Sequence, residues 1–326
     1  MKAEIIRLLK ECDGYLSGQE LCERLGVSRT AVWKVIKQLE KEGYEIEAVR
    51  NRGYRLIEGG DVMTEAEIKS CLDKGFMDWN VVCYEETDST NIRAKHLAEE
   101  GAGEGTLVVA ERQNAGKGRR GRGWVSPCGT GIWMSLILRP DIAPSQASMV
   151  TLVAALGVSQ GILRSTGIKT EIKWPNDIVL NGKKICGILT EMSTELETIQ
   201  YVVVGIGINV NIKEFPEELS SSATSLFLET KGTHKRAPVI GAVAAAFESY
   251  YKNFLKTGDL SLLKQEYESR LANRNRSVTV LSPTEPFEGI CRGIDDQGEL
   301  LVERESGELC HVLSGEVSVR GLYGYV

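Results

Sequence analysis

The sequence predicts an α+β protein of three units: a helical unit ending in a hairpin, a large mixed sheet with helices on one side, and a small all-β tail. Three observations predict this. Residues 1–60 carry apolar positions at helical spacing, then two short alternating runs. Residues 63–272 interleave apolar, strand-like runs with long helical patterns. Residues 275–326 switch to short strands divided by Gly-containing turn strings. At 326 residues the chain also exceeds one ordinary domain.

In the first unit Ile5, Leu8 and Leu9 recur at helical spacing until Asp13-Gly14 interrupts them. Ser17 and Glu20 are spaced as a capping box for a helix over Gln19–Leu25. Gly26 supplies a tight turn, and Ser28 caps a third helix running to about Glu42. Helix, short glycine turn and helix make a helix-turn-helix pattern. Val32, Val35, Ile36 and Leu39 share the apolar face of the third helix, leaving Thr30, Lys34 and Lys37 opposite and Arg29 and Trp33 at the flanks. A polar, basic exposed face suits the major groove of DNA. Two alternating runs then surround Asn51-Arg52-Gly53, a hairpin signal with Arg50, Arg52 and Arg55 about its tip. This predicts a winged helix whose arginines meet phosphates; the alternative is a helical module for protein contact. Gly59-Gly60-Asp61 reads as a linker.

In the middle unit the expected strands are Val81–Tyr84, Leu107–Ala110, Ile132–Leu138, Ile178–Leu180, Ile185–Leu189 and Tyr201–Val210, with helices over Thr90–Glu100, Gln146–Ser165 and Val239–Leu255. Short turns such as Asn181-Gly182 favour a largely antiparallel sheet over βαβ repeats. Neither a Walker-A string nor a complete dinucleotide fingerprint occurs. The chemistry must come from other segments.

Gly116–Trp124 alternates glycine with cations. Glycine lets backbone approach a ligand, and guanidinium grips phosphate or carboxylate. Such a loop is built to fold over an anion, with a solvated basic loop as the alternative. Lys173-Trp-Pro-Asn-Asp177 ends one strand and opens the next, and one of Lys183 and Lys184 should point inward to meet a phosphate. Asp177 is either a metal ligand or a turn residue. Asp88-Ser89-Thr90-Asn91 caps a helix whose N-terminus is also a ready anion site. Gly205-Ile-Gly207-Ile-Asn209 places glycines inside a strand, where a ligand comes close. The tail is expected to form strands at Ser277–Leu281, Phe287–Arg292, Glu299–Glu303, Glu308–Leu313 and Glu316–Arg320.

Net charge is -6 and the pI about 5.4, so any nucleic-acid contact must come from a local patch. Eight dispersed cysteines without a Cys-x-x-Cys pair, and three scattered histidines, fit a reducing compartment and argue against structural zinc. Charges at Arg7, Lys10 and Glu11 leave no place for a signal-peptide core, and no apolar run is expected to approach the roughly 20 residues of a membrane span. The expectation is a cytoplasmic protein without a membrane partner.

Asp88–Asn91, Gln113 with Gly116–Trp124, Lys173–Asp177 with Lys184 and Gly187, and Gly205–Asn209 occur together and in this order. In this set the chain resembles the biotin–protein ligases. With the winged helix in front, it is similar to their bifunctional bacterial form. The resemblance spans essentially the whole chain, and the loop and the Lys-Trp-Pro-Asn-Asp segment are its specific parts.

The resemblance implies a central fold shared with lipoate ligases and class II aminoacyl-tRNA synthetases, and an SH3-like C-terminal barrel. It implies domains at 1–60, 63–272 and 275–326. Biotin and MgATP would give biotinyl-5′-AMP, and a lysine of a biotin carboxyl carrier domain, of acetyl-CoA carboxylase or pyruvate carboxylase, would displace AMP. Lys184, Arg119, Lys173 and Asp177 would serve catalysis. Ser89, Thr90, Asn91, Gln113, Lys117, Gly118, Arg119, Lys184, Gly187 and Gly205 would hold biotin. Arg119, Arg120, Arg122, Trp124, Asn176, Gly207, Asn209 and Arg320 would hold ATP or adenylate, with no metal ligand beyond Mg2+ carried by ATP. Ser28, Arg29, Thr30, Trp33, Lys34, Lys37, Arg50 and Arg52 would meet operator DNA, as a homodimer formed on adenylate binding. One departure is Lys117, where the family usually has arginine; lysine keeps the charge and loses the fork. Competing expectations are a biotin-sensing repressor without catalysis, a lipoate ligase, and a ligase whose N-terminal module no longer binds DNA.

Overall fold

The computed structural model describes residues 1–57, 60–73, 75–281 and 286–314, and the main chain of the strand Ser318–Gly321. Gly59 of the expected linker and Glu316 of the last expected strand lie outside the described residues.

The N-terminal unit comprises α1 (Lys2–Glu11), α2 (Gly18–Leu25), α3 (Arg29–Lys41) and the hairpin β1 (Ile46–Val49) and β2 (Gly53–Leu56). The Ser17 side chain accepts the Glu20 N–H at 3.0 Å and Ser28 accepts that of Ala31 at 3.3 Å, so both serines cap their helices; the expected capping box is only half formed, because the Glu20 carboxylate pairs with Arg24 at 2.6 Å. Ile5, Leu9, Leu21, Val32, Ile36 and Leu39 build a separate small core. Gly53 is required twice over: its φ is +116°, and a Cβ there would lie 2.1 Å from the Leu16 carbonyl oxygen, against which Tyr54 pairs.

Helix α4 (Glu65–Cys71) joins this unit to the rest. Arg7 donates to the Leu72 carbonyl at 2.7 Å, and the buried Glu67 accepts from Tyr44 Oη at 2.9 Å and from Lys10. Asp61, read from sequence as linker, is an anchor. It accepts from the Arg236 backbone N–H at 2.8 Å and from its Nε at 2.5 Å, and the same guanidinium, only 2% exposed, reaches Glu111 at 2.7 Å. Removing one member of a buried ion network strands the others without partners. Arg236→Met should therefore cost about 3 kcal/mol of stability by urea unfolding; a loss within error of zero would contradict this role.

The central sheet contains β3 (Asn80–Thr87), β4 (Thr106–Gln113), β5 (Gly131–Leu138), β6 (Glu171–Lys173), β7 (Asp177–Leu180), β8 (Lys183–Glu195) and β9 (Thr198–Asn209), in spatial order β3-β4-β5-β9-β8-β7-β6. Only β3 and β4 pair in parallel, across α5 (Thr90–Glu99); the other pairs are antiparallel. One face, including Leu107, Val109, Ile132, Met134, Val204 and Ile206, belongs to the core with α6 (Ala147–Thr166). Short helices α7 (Glu217–Ser220) and α8 (Leu226–Thr230) follow β9, then α9 (Arg236–Thr257), packed along α6, and α10 (Lys264–Arg270). The expectation of helices on one side is corrected here. Helix α5 packs Ala94 and Ala98 against Val108, Ile137 and Val203 on the opposite face, because the parallel β3–β4 connection needs a crossover. Beyond α5 the same face is left for the functional cleft.

The membrane-length expectation also needs correction. Pro144–Thr166 is long and apolar enough to cross a membrane, yet 72% of its most apolar window is buried in the fold, making it a core helix.

The tail forms β10 (Ser277–Leu281), β11 (Phe287–Ile294), β12 (Leu300–Glu303), β13 (Leu309–Val312) and β14 (Ser318–Gly321), an antiparallel sheet in the order β13-β12-β11-β10-β14, small and SH3-like. It docks on the central domain where the buried Trp174 donates its indole N–H to the Gly298 carbonyl at 3.0 Å.

Candidate active site: two joined cavities on a glycine floor

Period-2 alternation places Gly205, Gly207 and Asn209 of β9 on the free face, with Gly187 of β8 directly beside Gly207. No side chain fits at its glycines. A Cβ at Gly205 would lie 2.1 Å from Asn91 Oδ1, and one at Gly207 would lie 2.5 Å from Trp124 Nε1. The glycines exist so that other groups can lie flat on the strands.

One wall comes from the start of α5. Thr90 donates its backbone N–H to Gln113 Oε1 at 2.8 Å and its hydroxyl to the same oxygen at 3.1 Å. Gln113 Nε2 donates to Ser126 Oγ at 2.8 Å. The fully buried Ser135 hydroxyl lies 2.7 Å from Thr90 Oγ1 and 2.6 Å from Asn91 Oδ1. Asn91 Nδ2 donates to Glu191 Oε2 at 2.7 Å. Thr90, Asn91 and Gln113 thus lock one another through their oxygens, and all three side chains border the cavity. Ser89 is buried, and its hydroxyl makes no capping bond to its own helix. Ser89, Thr90, Asn91 and Gln113, with Lys117, Gly118, Arg119, Lys184, Gly187 and Gly205, line a cavity of about 50 Å³, and Ser126, Ser135 and Glu191 stand behind them.

Gly116–Trp124 closes over that cavity as a narrow loop. Lys117 and Gly123 bridge, Gly118 N–H donates to the Arg122 carbonyl at 2.7 Å, and Trp124 N–H to Gly116 at 2.9 Å. Arg120 turns the tip with φ +57°. Arg119 is the clasp: it donates to Asn176 Oδ1 at 3.0 Å and to the Ser314 carbonyl of the C-terminal unit. Burial lowers the Arg119 pKa, with Asp177 opposing and Arg120 and Arg122 adding to the shift. Asn176 is held by Ile188, accepting its N–H at 2.9 Å and donating to its carbonyl at 3.0 Å.

On the far side of Trp124 the space widens to about 340 Å³, bounded by Arg119, Arg120, Arg122, Asn176, Asp177, Lys184 and Asn209, with Ile212, Phe215 and Leu219 as an apolar side. Lys184 stands between the two cavities. Its Nζ is 2.5 Å from Asp177 Oδ1 and 5.2 Å from the Trp124 ring. Of the lysine pair it is the inward one; Lys183 turns outward to the Ser220 carbonyl at 3.0 Å. Trp124 Nε1 is buried without a hydrogen-bond partner among the described residues, an open donor at the junction.

Lys173 is not brought to this cleft. It is 6% exposed at the end of β6, opposite Asp177 in register, and borders neither cavity. The side chain of Arg320 lies outside the described residues; its main chain belongs to β14. No group of three metal-ligating side chains occurs at the cleft among the described residues; the one such group, Asp295, Glu299 and His311, is in the C-terminal sheet. Sequence reasoning missed Ser126, Ser135 and Glu191. A lone serine within the apolar run Gly131–Leu138 was a usable signal; Glu191 left none, because its partners come from α5.

In the N-terminal unit Ser28, Arg29, Thr30, Trp33, Lys34, Lys37, Arg50 and Arg52 are all exposed. The Arg52 and Arg55 guanidiniums lie 4.3 and 5.1 Å from the centre of the Tyr15 ring, which shelves the wing.

Comparison with known proteins agrees with this geometry. A model of the biotin/lipoate A/B protein ligase family matches residues 83–209, an HTH domain model residues 2–55, and a biotin protein ligase C-terminal domain model residues 275–320. The chain is 45% identical over 312 residues to the bifunctional ligase/repressor BirA of Bacillus subtilis, covering 94% of this chain and 95% of that protein. It is 32% identical over 308 residues to the protein of that name from Escherichia coli, covering 93% and 92%. Among solved structures, the biotin protein ligase from Aquifex aeolicus in complex with biotin and ATP matches with a TM-score of 0.66 at 33% identity, covering 74% of this chain and 99% of that one. A glycine-floored double cavity under an arginine loop, behind a winged helix, thus accompanies similarity along almost the full chain, which belongs to the biotin–protein ligase family in its bifunctional ligase/repressor (BirA) form.

Proposed function

We propose that the chain activates biotin with MgATP and transfers it to a lysine of a biotin carboxyl carrier domain, and that the adenylate intermediate switches the winged helix onto operator DNA. The observation that carries this is the join. A small cavity offers acceptor oxygens and an uncommitted Ser89 hydroxyl, as a urea's N–H groups and carbonyl require. It opens at Lys184 into a larger cavity ringed by Arg119, Arg120 and Arg122.

Biotin lies in the small cavity, its ring held by Ser89, Thr90, Asn91 and Gln113. Lys117 and Gly118 cover it, and Gly187 and Gly205 lie beneath. A volume of about 50 Å³ is too small for it while Trp124 rests on the floor, so entry lifts Trp124 and the loop closes again over the ligand. ATP occupies the larger cavity beside Asn209, extending to Gly207 at the junction under Trp124. Lys184 and Arg119 neutralise charge as a biotin carboxylate oxygen attacks the α-phosphorus and pyrophosphate leaves with its Mg2+. The carrier lysine amine then attacks the acyl carbon, a C–N bond forms, AMP departs, and the amine gives up a proton. Asp177 positions Lys184 and faces the incoming amine. Lys173 supports Asp177 from beneath, and Arg320 reaches ATP from the tail. Domains divide at 1–60, 63–272 and 275–326. The adenylate complex pairs as a homodimer, presenting Ser28, Arg29, Thr30, Trp33, Lys34 and Lys37 to the major groove and Arg50 and Arg52 to phosphates. The preferred carriers are those of acetyl-CoA carboxylase and pyruvate carboxylase, and the chain works in the cytoplasm.

The test is mass spectrometry of a purified carrier domain incubated with the chain, biotin and MgATP, with a gel shift of the chain's own upstream DNA in parallel. One biotin on one carrier lysine, with a shift only when adenylate is present, is expected. Biotin-dependent DNA binding without carrier labelling would replace the proposal with a sensor that lacks catalysis.

A further inference from the structure

Glu191 lies on β8, outside the loop and the glycine floor, yet it terminates the polar network of the small cavity. One of its oxygens accepts from Asn91 Nδ2 at 2.7 Å, and the other takes the Lys95 ammonium one helical turn further along α5. Asn91 Nδ2 also lies 3.3 Å from the Leu189 carbonyl, while Asn91 Oδ1 faces the Ser135 hydroxyl at 2.6 Å.

A primary amide is nearly symmetric in shape and opposite in chemistry at its two ends. Which end faces a ligand is decided by what stands behind it. A carboxylate can only accept, so Glu191 fixes the –NH2 of Asn91 toward β8 and its oxygen toward Ser135, Gly205 and the cavity. Reversed, the Asn91 oxygen would meet a carboxylate and the Leu189 carbonyl, and its –NH2 would turn toward Ser135 and the cavity.

We propose that Glu191, with each oxygen reserved for one partner, is the positioning residue that holds Asn91 as an acceptor and thereby sets the cavity's preference for a ligand bearing N–H donors. The proposal deepens the biotin assignment and rests on it. Lys95 has a defined part: it occupies one Glu191 oxygen. An isosteric amide at position 191 has a single oxygen. With Lys95 present, that oxygen goes to the ammonium, and the new –NH2 turns to Asn91 and flips it. With Lys95 removed, the oxygen is free to accept from Asn91 again.

The experiment is calorimetry of biotin binding to the full chain and to Glu191→Gln, Lys95→Met and the double variant. Glu191→Gln should raise the Kd for biotin by about tenfold, the scale of one mispaired buried polar contact. Lys95→Met alone should leave it within about threefold, because Glu191 still directs the amide, and Lys95→Met added to Glu191→Gln should return it to about that range. Rescue is the decisive readout, since loss of mere structural support would deepen in the double variant. An unchanged Kd in Glu191→Gln, or no recovery in the double variant, overturns the positioning role. A wild-type chain that binds no biotin would instead overturn the functional assignment beneath it.

Discussion

Lys184→Gln is expected to lower biotin-dependent adenylate formation by about 10²–10³-fold, the loss typical when one preorganised donor to a developing charge is removed. The geometry explains the size. Lys184 Nζ sits where both cavities meet, 2.5 Å from Asp177 and over the Trp124 ring, so on the proposed binding of biotin and ATP it would reach both the acyl oxygen and the α-phosphate. Glutamine keeps the stem and removes the charge. Binding of biotin through its ring end should change far less, because the Ser89–Gln113 wall is built from other elements. Pyrophosphate release under single-turnover conditions, set beside calorimetric biotin binding, separates the two. Equal loss of binding and chemistry would place Lys184 in the scaffold.

Arg119→Gly should differ in character: adenylation slows less than in Lys184→Gln, and the adenylate that forms escapes. Arg119 clasps the closed loop to Asn176 and to the Ser314 carbonyl, two points on different domains. Losing both bonds frees the loop over a mixed anhydride that any amine can attack. Labelling of bystander lysines should rise by at least about tenfold, consistent with the loss of two charge-assisted contacts. Mass spectrometry of added bystander proteins measures this directly. Unchanged bystander labelling with full adenylation would show that the loop stays shut without its clasp.

Local chemistry was the legible part of the sequence. Ser17 and Ser28 cap because their side-chain oxygens meet N–H groups three residues on, a relation that needs no tertiary knowledge. The loop Gly116–Trp124 follows likewise from glycine freedom, and strand alternation required one of Lys183 and Lys184 to point inward without choosing between them. What escaped was set by distant partners. Arg236 gave no hint that Asp61 would anchor to it from 175 residues away. Glu191 looks like a solvated strand residue until Asn91 and Lys95 arrive on α5. The second helical face escaped because β5 is buried on both sides throughout, and a strand covered twice loses the alternation that reveals which side is covered. A cation beside Trp-Pro-Asn-Asp suggests a ligand contact, and only packing shows Lys173 buried opposite Asp177 in register, bordering neither cavity.

The central claim is that the small cavity and the larger one act on biotin and ATP as a single adenylating site. Isotope exchange between pyrophosphate and ATP tests it most directly, since that exchange occurs only if the adenylate forms reversibly on the protein. Exchange that appears when biotin is added and is absent without it is the predicted result. Exchange indifferent to biotin, or none with both substrates bound, would contradict the account.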